Sequence, residues 1–108
     1  MTEVTITREA GKALVRPAGD VVAASVPGLR SAMREVVSEG VLELTVDLTG
    51  CQMIDSSGLG VLVSAHNSLH KLGGRLAVVH ASKDILELFK VMRIHQHFSV
   101  SGDSSEER

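Results

Sequence analysis

Asp55, Ser56 and Ser57 stand where an alternating apolar run gives way to a helical one, and Gly58-Leu59-Gly60-Val61-Leu62 follows them. A strand is expected to end upstream and a helix to begin inside the run, so the carboxylate and the two hydroxyls fall at a helix N-terminus. Unpaired first-turn N–H groups and the positive end of the helix dipole favour an added negative charge there. Two roles suit such a serine. It can accept a phosphoryl group, adding a charge of about -1.5 to -2 and three strong acceptor oxygens, or the Asp and Ser side chains can cap the helix and do nothing more. Gly58 and Gly60 lack side chains, so a partner's backbone is expected to approach the first turn. Each weakens the helix by roughly 1 kcal/mol relative to Ala.

A phosphate beside Asp55 has an asymmetric consequence. Two unit charges about 5 Å apart repel by roughly 1 kcal/mol in water and several-fold more in a partly dry interface. The free protein tolerates the modification, whereas a partner lying over the loop does not, which turns a local charge into a binding switch.

Other residues with chemical potential fall short of a catalytic set. Ser56 lacks the Gly-x-Ser-x-Gly elbow of a hydrolase nucleophile, and the chain has no Gly-x-x-x-x-Gly-Lys phosphate loop. His66 and His70 are four apart, a possible metal pair, but no third ligand or general-base Glu accompanies them. His80, His95 and His97 show no ligand spacing, and Cys51 reads as a small buried hydrophobe. No catalytic residue, metal or cofactor is expected. Leu59, Val63, His66 and His70 form a half-apolar stripe starting beside Ser56, expected to be a partner-docking flank, with packing against a neighbouring helix as the alternative.

The elements that must position this loop are legible from periodicity. Val4 to Thr7 and Lys12 to Arg16 read as a hairpin across Glu9-Ala10-Gly11, ended by Pro17. Ser25 is a plausible N-cap for a helix with Pro27 in its first turn, an inward stripe of Val26, Leu29, Met33, Val36 and Val37, and Gly40 as terminator. Val41 to Leu48 alternates, with Leu42, Leu44, Val46 and Leu48 on one side and Glu43, Thr45 and Asp47 on the other. One sheet face is therefore wet there and the helices lie mainly on the other. A second helix runs from about Ser57 to Leu72, burying Val61, Leu62, Ala65, Leu69 and Leu72, and ends at Gly73-Gly74. Leu76 to Val79 is a better covered strand. A third helix follows the cap candidate Ser82 and carries Ile85, Leu88, Phe89 and Met92. Phe98 to Val100 is a final short strand. The alternation implies parallel neighbours, with sites at the carboxyl ends of strands.

The 108 residues suit one α/β domain over residues 1–100, with a polar tail over 101–108. A formal net charge of -2 without a basic cluster argues against a nucleic-acid surface. No apolar run is long enough to span a membrane. One cysteine and no leader-like segment suggest the cytoplasm.

Asp55-Ser56-Ser57-Gly58-Leu59-Gly60, preceded by Val46-Asp47-Leu48 and followed by Val61-Leu62, resembles the signature of bacterial anti-sigma factor antagonists, the STAS domain family. Gly19-Asp20, Lys71 to Leu76 and Leu86 to Met92 also sit where that family has similar residues. The resemblance implies a small mixed sheet with helices mainly on one face. It also implies a partner switch. The unphosphorylated antagonist binds an anti-sigma factor that is a serine kinase carrying its own ATP, and sigma factor is released. The kinase then phosphorylates the serine after the Asp, here Ser56, and the complex separates. A PP2C-type phosphatase resets the cycle. By the same resemblance Asp55, Ser57, Gly58, Leu59 and Gly60 belong to the partner surface, with Ser57 as a helix cap. The family's acidic residue shortly after the Gly-Asp pair is missing from Val21-Val22-Ala23-Ala24. The alternative role is a STAS-type scaffold or transporter-associated subunit without phosphoregulation.

Overall fold

The computed structural model describes residues 4–94 and 98–102. Strands β1 (Val4–Glu9) and β2 (Lys12–Pro17) form the expected hairpin, followed by α1 (Val26–Ser38), β3 (Glu43–Asp47), α2 (Ser56–Lys71), β4 (Arg75–Ala81), α3 (Lys83–Val91) and β5 (Ser99–Gly102). The hairpin turn is Ala10-Gly11, with φ of +44° and +84°. Positive φ at both central residues matches the right-handed twist of the flanking strands.

The five strands lie in the order β1-β2-β3-β4-β5. β1 and β2 are antiparallel and every later pair is parallel. Each crossover therefore steps to the next neighbour in the same direction. Right-handed crossovers that all step one way place α1, α2 and α3 on a single face. Val15, Val46 and Val78, in register across three strands, point to that face and are fully buried. Leu14, Thr45 and Ala77, also in register, point to the bare face and are half-buried. Glu43, Lys12 and Arg75 put an alternating charge row across the same bare face.

The core lies between the sheet and the three helices, and Phe89 and Phe98, the chain's two aromatic rings beyond its histidines, close its α3–β5 end edge-on at 6.4 Å. Three expected core positions are exposed. Leu42 stands one position before β3, at the edge of the core, and is 44% exposed although its backbone bonds to Gly11 O and Arg75 N–H. Leu72 and Met92 stand at the C-caps of α2 and α3, one step past the last helical turn, and both face solvent. Ser82 caps α3 as expected, its Oγ accepting from Ile85 N–H at 3.2 Å. β5 runs to Gly102, two residues past the expected domain limit. The tail from 103 onward, His95 and His97 lie outside the described residues.

Candidate functional site: the clamped start of helix α2

Asp55 caps α2. Its backbone is extended (φ -103°, ψ -175°), and its Oδ1 accepts from Gly58 N–H at 3.0 Å. That corrects the expectation for Ser57, which lies inside the helix as an exposed first-turn residue and not at its cap. The carboxylate outcompetes the hydroxyl because an Asp at N-cap reaches the third helical amide and also carries charge toward the dipole.

The second oxygen of Asp55 faces another loop. Oδ2 accepts from Ala23 N–H at 3.0 Å, in the segment joining β2 to α1. The favour is returned by Asp20 from that segment, whose Oδ1 accepts from Gln52 and Met53 N–H at 2.9 and 3.2 Å. Between these two carboxylates the loops pair as backbone. Val21 N–H donates to Met53 O at 3.0 Å and Asp55 N–H to Val21 O at 3.2 Å, a parallel bridge between Val21 and Ile54. Ser25 stands at the start of α1, but its side chain does not cap it. Its buried Oγ accepts from Val22 N–H at 3.0 Å and lies within hydrogen-bonding distance of the carbonyls of Asp20 (2.8 Å) and Val22 (3.0 Å). The hydroxyl is spent on folding the β2–α1 loop over the start of α2.

The clamp explains Gly58. A Cβ there would lie 2.5 Å from Val21 O, 2.6 Å from Val21 Cγ1 and 2.8 Å from Ile54 Cγ1. Gly58 is buried and lets the β2–α1 loop, not a foreign backbone, come close. Leu59 is likewise buried in the core. The expectation that these two residues present a partner surface is corrected: α2 turns both inward. Gly60 is exposed, with open space where its Cβ would be. Ser56 and Ser57 are exposed, and Asp55 is half-buried.

The Val63–His66–His70 stripe divides. His66 is half-buried, its ring 5.7 Å from Phe98 and 5.7 Å from His70. It packs toward the β5 side of the core. Val63 is half-buried and His70 exposed. The packing alternative describes His66 better than the docking one.

Cys51 is buried in the loop before α2, where it donates to Met53 O at 3.3 Å. Burial pushes its thiol pKa up, against thiolate chemistry. In the uncharged stretch that departs from the family pattern, Val21 is 1% exposed and roofs Gly58. A charge at that position would be buried without a partner. Ala23 and Ala24 are exposed, so the local negative potential comes from Asp20 and Asp55.

A single mixed sheet with helices on one face, presenting clamped loops at the carboxyl ends of its parallel strands, defines a small α/β domain. The STAS domain profile matches residues 3–107, and the chain belongs to that family. An anti-sigma-B factor antagonist from Listeria monocytogenes is 35% identical over 90 residues, covering 82% of this chain and 78% of the relative. Among solved structures, an anti-sigma factor antagonist from Mycobacterium paratuberculosis superposes with a TM-score of 0.84 at 20% identity, covering 98% of this chain and 90% of the other. The Bacillus cell fate determinant SpoIIAA in its phosphorylated form does so with a TM-score of 0.73 at 14% identity, over 95% of each chain. No helix among the described residues is long and apolar enough to cross a membrane.

Proposed function

We propose that this chain is a cytoplasmic anti-sigma factor antagonist that acts by binding and not by catalysis, and that Ser56 is its phosphorylation switch. The observation that carries the reading is the exposed Ser56 hydroxyl at the first position of α2, directly after the Asp55 cap, on a helix start held by two loops. A kinase needs an accessible hydroxyl, and a binding switch needs a rigid one.

Unphosphorylated, the protein binds its anti-sigma factor, a serine kinase holding ATP, through Ser56, Ser57, Gly60 and the rims of Val63 and His70. Asp55 acts beneath this surface by fixing the helix start. Gly58, Leu59 and His66 support it from within. A phosphate on Ser56 can draw on the first-turn N–H groups of Ser56 and Ser57, that of Gly58 being taken by Asp55. It also stands next to the Asp55 carboxylate, and the pair repels most strongly when a partner excludes water. The phosphorylated form therefore persists free and the complex does not. A PP2C-type phosphatase restores the bare hydroxyl.

The test is intact-mass measurement after incubation with the anti-sigma factor of the same genome and ATP, alongside affinity measurement. Wild type is expected to gain one phosphate and lose affinity. Ser56→Ala gains none and stays bound, and Ser56→Asp binds more weakly than Ser56→Ala. Tight binding with no phosphate added under any condition would favour the scaffold role.

A further inference from the structure

Helix α1 sorts its charges by side. Glu35 and Glu39 turn to β1, where both pair with Arg8, Glu39 Oε1 lying 2.7 Å from Arg8 Nε. Arg30 and Arg34 take the opposite flank, beside α2. They are exposed, sit one turn apart, and make no ion pair among the described residues. Like charges at this spacing repel each other along a helix. Among the described residues no carboxylate stands within ion-pair distance to offset that repulsion.

Both arginines line a groove of about 300 Å³ between the two helices. Its floor is apolar, formed by residues such as Met33 and Ala65, and its far wall carries the hydroxyls of Ser64 and Ser68. These serines also stand one turn apart. A helical turn advances about 5.4 Å. The groove is thus a ladder with cations on one wall and hydroxyl donors on the other, repeating at the pitch of a helix. Such a ladder complements two carboxylates one turn apart, each able to take a guanidinium from one side and an O–H from the other.

The row that forms the far wall continues upward. Ser56, Gly60 and Ser64 recur at four-residue spacing, the spacing that keeps side chains on one helix face, and all three are exposed. The switch serine heads the same row that borders the groove, and Gly60 between them leaves the surface flat.

We propose that this α1–α2 groove receives an acidic helix of the anti-sigma factor, with carboxylates one turn apart set against Arg30 and Arg34 and the helix laid along the row headed by Ser56. This rests on the functional reading above and deepens it. An acidic partner on this row makes a phosphate at its head repulsive, whereas a basic partner would be held more tightly by it. The sign of the switch and the sign of the groove agree.

The affinity of the purified anti-sigma factor is measured for three proteins: wild type, Arg30→Glu/Arg34→Glu, and Arg16→Glu/Arg75→Glu. The last makes the same change in net charge on the bare sheet face. The groove variant is expected to bind at least tenfold more weakly. The sheet variant should stay within threefold of wild type, and raising salt should weaken wild type more than the groove variant. All four positions are exposed, and circular dichroism confirms folding. Wild-type affinity retained by the groove variant, or an equal loss in the sheet variant, overturns the groove and leaves the functional reading standing. No binding by wild type overturns both.

Discussion

Two glycines two residues apart in α2 should respond in opposite directions to the same methyl group. At Gly60 an added Cβ meets nothing within 4 Å. Gly60→Ala therefore gains the helix propensity of Ala, about 1 kcal/mol in an exposed helix interior. At Gly58 the same Cβ would lie 2.5 Å from the Val21 carbonyl oxygen. An ordinary contact is nearer 3.4 Å, so the loop must retreat by about 0.9 Å (3.4 less 2.5). Val21 O is not a flexible tip; it accepts Asp55 N–H at 3.2 Å and belongs to the bridge that closes the clamp. Overpacking of this kind costs roughly 1–3 kcal/mol, and straining the hydrogen bond adds about 1 kcal/mol. Against a propensity gain of at most about 1 kcal/mol, Gly58→Ala should lose a net 1–3 kcal/mol, to order of magnitude. Urea titration of the two variants reads this directly as midpoint shifts of opposite sign at constant m. In a domain of this size 1 kcal/mol moves Tm by roughly 4–8 °C. Partner affinity should also separate them. Gly60→Ala is expected to be the more stable protein yet to bind less well, its methyl standing on the proposed docking row. A Gly58→Ala protein as stable as wild type would refute the close approach of the β2–α1 loop.

The reciprocal carboxylates and the surface ion pairs are open to two further checks. Asp20→Ala removes the acceptor of two loop amides and should cost roughly 1–2 kcal/mol, with faster hydrogen exchange at Gln52 and Met53; Asp20→Asn, which keeps an acceptor oxygen, should recover most of the protection. Unchanged exchange in the alanine variant would show that the clamp does not depend on Asp20. The hydrogen bond from Arg8 holds the Glu39 carboxyl below its ordinary range. A carboxylate whose folded pKa is depressed contributes stability that is complete above the unfolded value, about 4.3 for Glu, and is lost as pH falls through the folded one. Carboxyl-carbon NMR should find Glu39 titrating at lower pH in wild type than in Arg8→Gln, and no difference would remove Arg8 as the cause.

The order of elements was readable because the patterns are local. Alternation marks the strands, the Val26-Leu29-Met33-Val36 stripe marks α1, and turn chemistry marks Ala10-Gly11 and Gly40. The misplaced residues sit at element ends. Leu72 and Met92 continue their apolar periodicity one position past their helices and Leu42 begins its own one position before β3, and periodicity does not register where an element ends. The site itself was half legible. An Asp before two serines at a strand-to-helix junction marks the helix start, but Ser57 and Asp55 are both acceptable caps by type, and only geometry chooses the carboxylate. Asp20 bonds to residues 32 and 33 positions away, which nothing in its own neighbourhood signals, and Ser25 bonds back into its own loop where its residue type equally suits a cap on α1.

The flanks of α2 show the deeper reason. A helical period separates inward from outward, yet every helix also has two sides, and their meaning depends on which element lies beside each. The order of strands settles that. With all crossovers stepping one way, α2 must lie between α1 on one side and α3 with β5 on the other. His66 faces the aromatic end of the core, so a stripe that looks suited to docking is largely used for packing. Ser64 and Ser68 line the groove on the side of α1, where Arg30 and Arg34 charge it, and Ser56 and Gly60 continue the exposed row above them. The two stripes share one helix and begin within a turn of the same serine. Topology, not composition, determines how much of each stays at the surface: His66 is drawn toward the core, while His70 and the serine row remain exposed.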